Sequence, residues 1–305
     1  MVALTLVWLL QGDPLTEARR LLEQGERERA IALLSDARER STSAPLLAFL
    51  ARLQTESDQI PQAAATLAEA LELRPEQHRL RTTLGALLFR LGRYDAARAE
   101  LVRALEGDPK NGMTHYYLGA VAKVQGNYRA AREHAEQAVK LIPEEAPRPD
   151  TLEPSPSVNA LYLLAEVRYL SGDNAETLLQ RVTELDVTHP GAHYLLGQLM
   201  LRDGRHDEAT KELELFRRTK KAAEHIELAV NASHHAENRA LAVAELRLAL
   251  QAYPDHPRAL YLLGVELVRL GERMEAVQCL RRLITLSPDT RAAVEPILKR
   301  LEQIR

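Results

Sequence analysis

Leucine and alanine recur along this chain in a pattern that predicts pairs of helices. In residues 78–111, Leu80, Leu84, Leu87, Leu88 and Leu91 form one apolar stripe at helical spacing. Gly92 then supplies a residue able to end the helix in the left-handed region. A second stripe follows in Ala97, Leu101, Ala104 and Leu105, with Asp95 expected to cap it and Pro109 to stop it. Gly85, Ala97 and Ala104 are small where two antiparallel helices must come close, and Tyr94 is placed to fill the turn between them.

The pattern returns at a fixed interval. Pro75, Pro109 and Pro143 stand 34 residues apart, as do Pro254 and Pro288. Ala63, Ala97 and Ala131 keep the interval, and so do Gly92 and Gly126. A period of this length marks stacked supersecondary units. An opening unit carries Gly25, Ala30, Leu34 and Ala37, after Asp13 as cap and Pro14 as first helical residue. The second half is less regular. Ala175 follows Gly172 by three residues instead of five, which predicts a shortened turn. Lys221 stands where a proline is due, so residues 222–254 read as a degenerate unit held by Ala242, Leu246, Ala249 and Pro254.

The constellation Leu118-Gly119, Gly126, Tyr128, Ala131, Ala138 and Pro143 resembles the tetratricopeptide repeat (TPR). Leu263-Gly264, Gly271, Ala276, Leu280 and Pro288 repeat it near the end of the chain. The resemblance implies an all-α fold, an α-solenoid of about eight TPR-like helix-turn-helix repeats wound into a superhelix. Residues 13–143 form one TPR block and 159–290 a second, with 291–305 as a capping helix. Between the blocks, 144–158 holds Pro147, Pro149, Pro154 and Pro156, a Pro-rich insertion that is either a surface loop or a strap across the binding face.

In the resembling family, the outward face of each first helix lines a concave groove where peptides bind. On a helix, Tyr116 and Leu118 diverge by about 200°, so a Leu118 turned to its partner helix turns Tyr116 away. Position by position, the implied groove wall contains Ala48 and Arg52, then Thr82, Ala86 and Phe89, then Tyr116, Ala120 and Lys123. It continues with Tyr162, Glu166 and Tyr169, then Tyr194, Gln198 and Leu201, then Tyr261, Val265 and Val268. The tyrosines either contact a guest directly or pack against the neighbouring repeat. The Lys, Arg and Asn set of repeats that clamp a chaperone's C-terminal carboxylate is absent, since Ala48, Thr82, Ala86 and Tyr116 occupy those places.

Composition narrows the function further. The chain has 305 residues, 40 Lys plus Arg against 43 Asp plus Glu, and a formal charge of −3, without the concentrated basic face that nucleic acid requires. The single Cys279 excludes an intramolecular disulfide and a cysteine-based zinc cluster. Phosphate loops, His-Glu-x-x-His pairs and Gly-x-Ser-x-Gly elbows do not occur, so neither catalysis nor a cofactor is expected. Of the histidines, His189 and His193 flank the helix start expected at Pro190, and the adjacent His234 and His235 diverge by about 100° on a helix. They are read as surface and turn residues rather than metal ligands.

The run Arg217 to Lys221, "RRTKK", is read as the solvated end of a helix, its charge offsetting the helix dipole. Its functional alternative is a patch that meets an acidic partner or phosphate. The apolar stretch Val2 to Leu10 is too short to cross a bilayer. It reads either as a signal-peptide core or as a lead-in packed on the first helices. The resulting expectation is a non-enzymatic scaffold for another protein or peptide, cytoplasmic or exported. An exported bacterial envelope assembly factor is the alternative, and a nucleic-acid-binding helical repeat ranks below both.

Overall fold

The computed structural model describes residues 13–40, 43–145, 148, 155–233 and 236–303. The apolar stretch 1–12, most of the Pro-rich segment and His234 and His235 lie outside the described residues. Among those described there are sixteen α-helices and no strand, an all-α solenoid. The chain divides into two compact units, one ending at Leu141 and the other beginning at Ile142.

The first unit holds four helix pairs. They are α1 (Pro14–Glu23) with α2 (Arg27–Arg40), α3 (Ala44–Glu56) with α4 (Ile60–Leu73), α5 (His78–Arg90) with α6 (Tyr94–Gly107), and α7 (Gly112–Val124) with α8 (Tyr128–Leu141). Asp13 caps α1 through bonds from the Leu15 and Thr16 amides, with Pro14 in the first turn as expected. Asp95 does not cap α6. The cap position is Arg93, and Asp95 lies in the first turn, where its carboxylate accepts from Gln125 Nε2 at 3.0 Å. Gly92 makes the turn between α5 and α6 at φ 70°, and Asp58 holds the same place in the preceding pair at φ 57°. A Cβ built on Gly85 would stand 2.5 Å from Leu101 Cγ, which is why the helices of that pair can cross so closely. One core cluster joins α3 to α7, with Leu67, Leu84, Leu87, Leu101 and Val121 among its buried members, and a second packs α1 and α2 against α3 through Leu21, Leu34 and Leu47.

The second unit begins with α9 (Pro156–Leu170) and α10 (Glu176–Leu185), followed by α11 (Pro190–Arg202) and α12 (His206–Ser233). Then come α13 (Arg239–Ala252), α14 (Pro257–Leu270), α15 (Arg273–Leu286) and the terminal α16 (Arg291–Gln303). Helix α9 starts inside the expected insertion, with Ser155 at the cap and Pro156 in the first turn, where a missing N–H does no harm. The neck of the insertion is tied. Ser155 Oγ donates to the Glu145 carbonyl at 2.7 Å, and the Glu145 amide donates to Ser157 Oγ at 3.0 Å. Arg181 on α10 pairs with Glu144 beside it.

The two irregularities resolve differently from their expected form. The deletion after Gly172 is taken up by the helix and not by the turn. α10 is only 10 residues long, and Asn174 Oδ1 accepts from the Glu176 amide at 2.8 Å to start it late. The degenerate unit has no separate first helix. Without a proline at 221 the backbone ladder continues, and α12 runs unbroken for 28 residues. Its second half still pairs with α13, burying Ala222, Ile226 and Ala229 against Ala242, Val243 and Leu246. Arg217 to Lys221 therefore sit in the middle of a helix, which corrects their reading as a helix end.

One core position changes character in the second unit. Leu53, Leu87, Val121, Val167 and Leu199 occupy equivalent places in successive first helices, all buried. In α14 the place belongs to Glu266, 4% exposed. One carboxylate oxygen binds Arg269 at 2.5 Å, and Oε2 is buried without a hydrogen-bond partner.

Candidate peptide-binding face

The outward positions of the first helices have unequal surroundings, and the difference follows from the size of their neighbours. In the first unit Ala86 and Ala120 are buried, small residues that let α5 and α7 approach each other. Thr82 is buried with them, and its hydroxyl meets Thr114 Oγ1 at 2.7 Å. Thr82, Ala86 and Ala120 thus join repeats and present no surface to a guest, contrary to the expected groove wall. Phe89 is half-buried against Tyr94 and Tyr117, with ring centroids 5.6 Å and 6.3 Å away. Tyr116 stands edge-on to Tyr117 at 5.0 Å, also half-buried, as is Lys123. Arg52 is exposed beside the half-buried Ala48, its guanidinium 4.8 Å from the Phe49 centroid and 3.9 Å from Glu56.

In the second unit Tyr162 on α9 is a joining residue. Its hydroxyl lies over Gly191 of α11, where a Cβ would come within 2.4 Å of it. Its ring lies 4.4 Å from that of His189. Burial, and after it the Glu166 carboxylate, push the phenol above its usual range. Glu166, Tyr169 and Gln198 are half-buried, as are Tyr261, Val265 and Val268 of α14, where Tyr261 packs beside Leu260 and Leu280.

Helix α11 is the exception. Tyr194 is 42% exposed and Leu201 39%, and with Gln198 between them they form one face at spacings of four and three. Phe216 of α12 supports Tyr194, with centroids 5.2 Å apart, and Lys220 lies 5.9 Å over the Phe216 ring. Sequence reasoning missed Phe216. A signal was present, since Ala70, Ala104, Ala138 and Ala249 hold the matching place in other repeats and an aromatic there is out of pattern.

Among the described residues His115, His134, His189 and His193 serve the scaffold, and the buried His193 corrects its reading as a surface or turn residue. His189 caps α11 by accepting from the Ala192 amide at 3.1 Å. His193, 3% exposed, bridges Glu212 Oε2 at 2.7 Å and the Val187 carbonyl at 2.9 Å. His115 meets His134 nitrogen to nitrogen at 3.1 Å, and burial followed by the neighbouring His115 holds the His134 imidazole below its usual range. Among the described residues no group of His, Cys, Asp or Glu could hold a metal ion, and no helix is long and apolar enough to cross a membrane. Burial raises the Cys279 thiol pKa, which disfavours the reactive thiolate.

Known proteins with this pattern are repeat proteins. Residues 21–87, 55–124, 112–137, 171–224 and 257–290 match family models described as tetratricopeptide repeat. Tetratricopeptide repeat protein 21A of Mus musculus is 29% identical over 126 residues, which are 41% of this chain and 7% of that protein. The chain thus matches a small fraction of that relative's length. A tetratricopeptide repeat protein from Parabacteroides merdae superposes with a TM-score of 0.50 at 12% identity, covering 95% of this chain and 98% of that one. YrrB, described as a TPR protein with an unusual peptide-binding site, gives 0.41 at 21% identity, over 76% of this chain and 98% of YrrB. The likeness to the Parabacteroides merdae protein, at 12% identity, shows the fold alone.

Proposed function

The chain belongs to the tetratricopeptide repeat family, and on that premise we propose that it is a non-enzymatic scaffold that captures a segment of another protein. The observation that carries this reading is the face of α11. Tyr194 and Leu201 are left open to solvent there, where the tyrosine of the preceding repeat, Tyr162, is used to join helices. A rigid aromatic with a free hydroxyl, an amide and a leucine in line give an extended segment two hydrogen-bonding groups and two apolar anchors. Binding rather than catalysis fits a surface that lacks a nucleophile with an adjacent base.

The test is selection of random displayed peptides on the full chain, followed by affinity measurement with the winners. Tyr194→Ala combined with Leu201→Ala is expected to weaken them by about tenfold or more, the loss of one or two interface anchors, with the helical melt unchanged. Tyr162→Ala is expected to do the reverse, lowering the melt through lost packing. Equal binding by the double variant, or no peptide recovered at all, would overturn the proposal.

A further inference from the structure

The charge of the run "RRTKK" has no helix-end task where the fold places it. At a helix C-terminus its charge would offset the dipole, but α12 continues for twelve residues beyond Lys221, to Ser233. Arg217, Arg218, Lys220 and Lys221 are all exposed, and none of the four lies within ion-pairing distance of a carboxylate among the described residues. Other polar side chains of the same helix do have partners, Glu208 with Arg205, Glu212 with His193 and His225 with Glu245. Arg217 with Lys220 and Lys221, and Arg218 with Lys221, stand at the three- and four-residue spacings at which like charges repel. Glu214 and Glu224 sit one turn to either side and leave the middle of the stripe positive.

Two of these cations are held in place by aromatic rings. Arg218 donates from Nε to the Ala252 carbonyl at 3.2 Å, with its guanidinium 5.3 Å from the Tyr253 centroid. Lys220 covers Phe216, which in turn supports Tyr194. The positive stripe therefore adjoins the open face of α11. Fixed cations lose little freedom on binding, and an aromatic beside them rewards an apolar side chain in the guest.

We propose that α12 docks an acidic polypeptide segment, one that carries an aromatic or aliphatic side chain beside its carboxylates. This rests on the reading of the second unit as a peptide-binding block and names the chemistry of its guest. Charge complementarity supports it, since carboxylates spaced along a peptide neutralise a stripe that the chain itself leaves unpaired. A nucleic acid or an anionic membrane fits less well, because each presents extended negative charge to a protein whose formal charge is already −3.

The experiment measures fluorescence anisotropy of a labelled glutamate-rich dodecapeptide bearing one phenylalanine, beside its glutamine counterpart. The wild-type chain is expected to prefer the glutamate peptide by about tenfold at low salt, with the preference fading as salt rises. Arg217→Gln with Lys220→Gln and Lys221→Gln is expected to erase the preference while the helical melt holds or rises. Tyr194→Ala with Leu201→Ala is expected to weaken both peptides alike. A triple variant that keeps the preference overturns the proposal. So does tighter binding of oligothymidylate or of phosphatidylserine-containing vesicles than of the glutamate peptide. If both peptides bind equally and the α11 variant weakens both, the acidic guest is refuted and the peptide-binding reading stands. If neither binds and no displayed peptide is recovered, both fall.

Discussion

Between Asp108 and Asn111 the first unit turns from one repeat to the next at Pro109, and Asn111 caps the following helix by accepting from the Thr114 amide at 3.1 Å. At the corresponding boundary in the second unit, Lys221 replaces the proline and the chain does not turn. Both regions nevertheless bury the same small and branched residues between antiparallel helices. What separates them is punctuation, not apolar pattern. A repeat boundary is made by a residue that cannot continue a helix. Where that residue is missing, two repeats share one helix and keep their packing. The second unit also buries titratable groups at places where the first unit has an aliphatic or a neutral polar residue, as Glu266 and His256 show.

The sharpest way to break this contrast is to restore the missing stop. Lys221→Pro removes the bond from residue 221 to the Arg217 carbonyl and crowds the preceding turn, a cost of about 3 kcal/mol or more. Hydrogen exchange is expected to show α12 and α13 losing protection while the helices of the first unit keep theirs. An unchanged exchange pattern would mean that the fused helix already bends there.

Acid is expected to act next in size. His256 stands where Asn111 stands in its repeat, but its buried Nδ1 finds no partner. Burial, outweighing attraction to Asp186, pulls its imidazole down to about 4. The folded value lies below the unfolded value of about 6.5, so the neutral form is the one folding favours. Its contribution is therefore complete above about pH 6.5 and lost as the pH falls towards 4, on the order of 3 kcal/mol across the window. His256→Asn is expected to remove most of the acid dependence of urea unfolding in the second unit. His189 of the same unit, also lowered chiefly by burial, leaves a slope of the same sign behind.

Glu266→Leu restores the residue type found at that place in other repeats. Relief of a buried carboxylate oxygen without a partner is expected to stabilise the second unit by about 1–3 kcal/mol, less whatever the exposed Arg269 pair contributes. Slower exchange in α13 and α14 would show it, and a loss of protection there would show that the carboxylate serves the packing.

The repeat architecture was legible because spacing repeats. Pro75, Pro109 and Pro143, with Gly92 and Gly126, each state where a helix must end, and a stop is a property of one residue. The fusion in α12 was half legible. Lys221 was visibly out of place, yet absence of a stop does not say whether a turn is made by other means. The binding face was least legible. Tyr162 and Tyr194 occupy the same point of their repeats, and what buries one and opens the other is the company each keeps. Tyr162 has Gly191 and His189 of the next first helix to cover, while Tyr194 rests on Phe216 with much of its ring free. Such neighbours belong to other helices, outside the local pattern around each tyrosine.

The bonds from Ser155 and Ser157 to Glu145 have a consequence for how this protein can vary. They hold the two ends of the Pro-rich segment together whatever its length, so chain added between residue 145 and residue 155 meets a preformed anchorage. Doubling a flexible loop costs only about 0.6 kcal/mol in closure entropy. This is therefore the natural port of the molecule. A foreign domain, an affinity tag or a reporter spliced there would be tolerated, whereas the same graft at Lys221 would interrupt an unbroken helix.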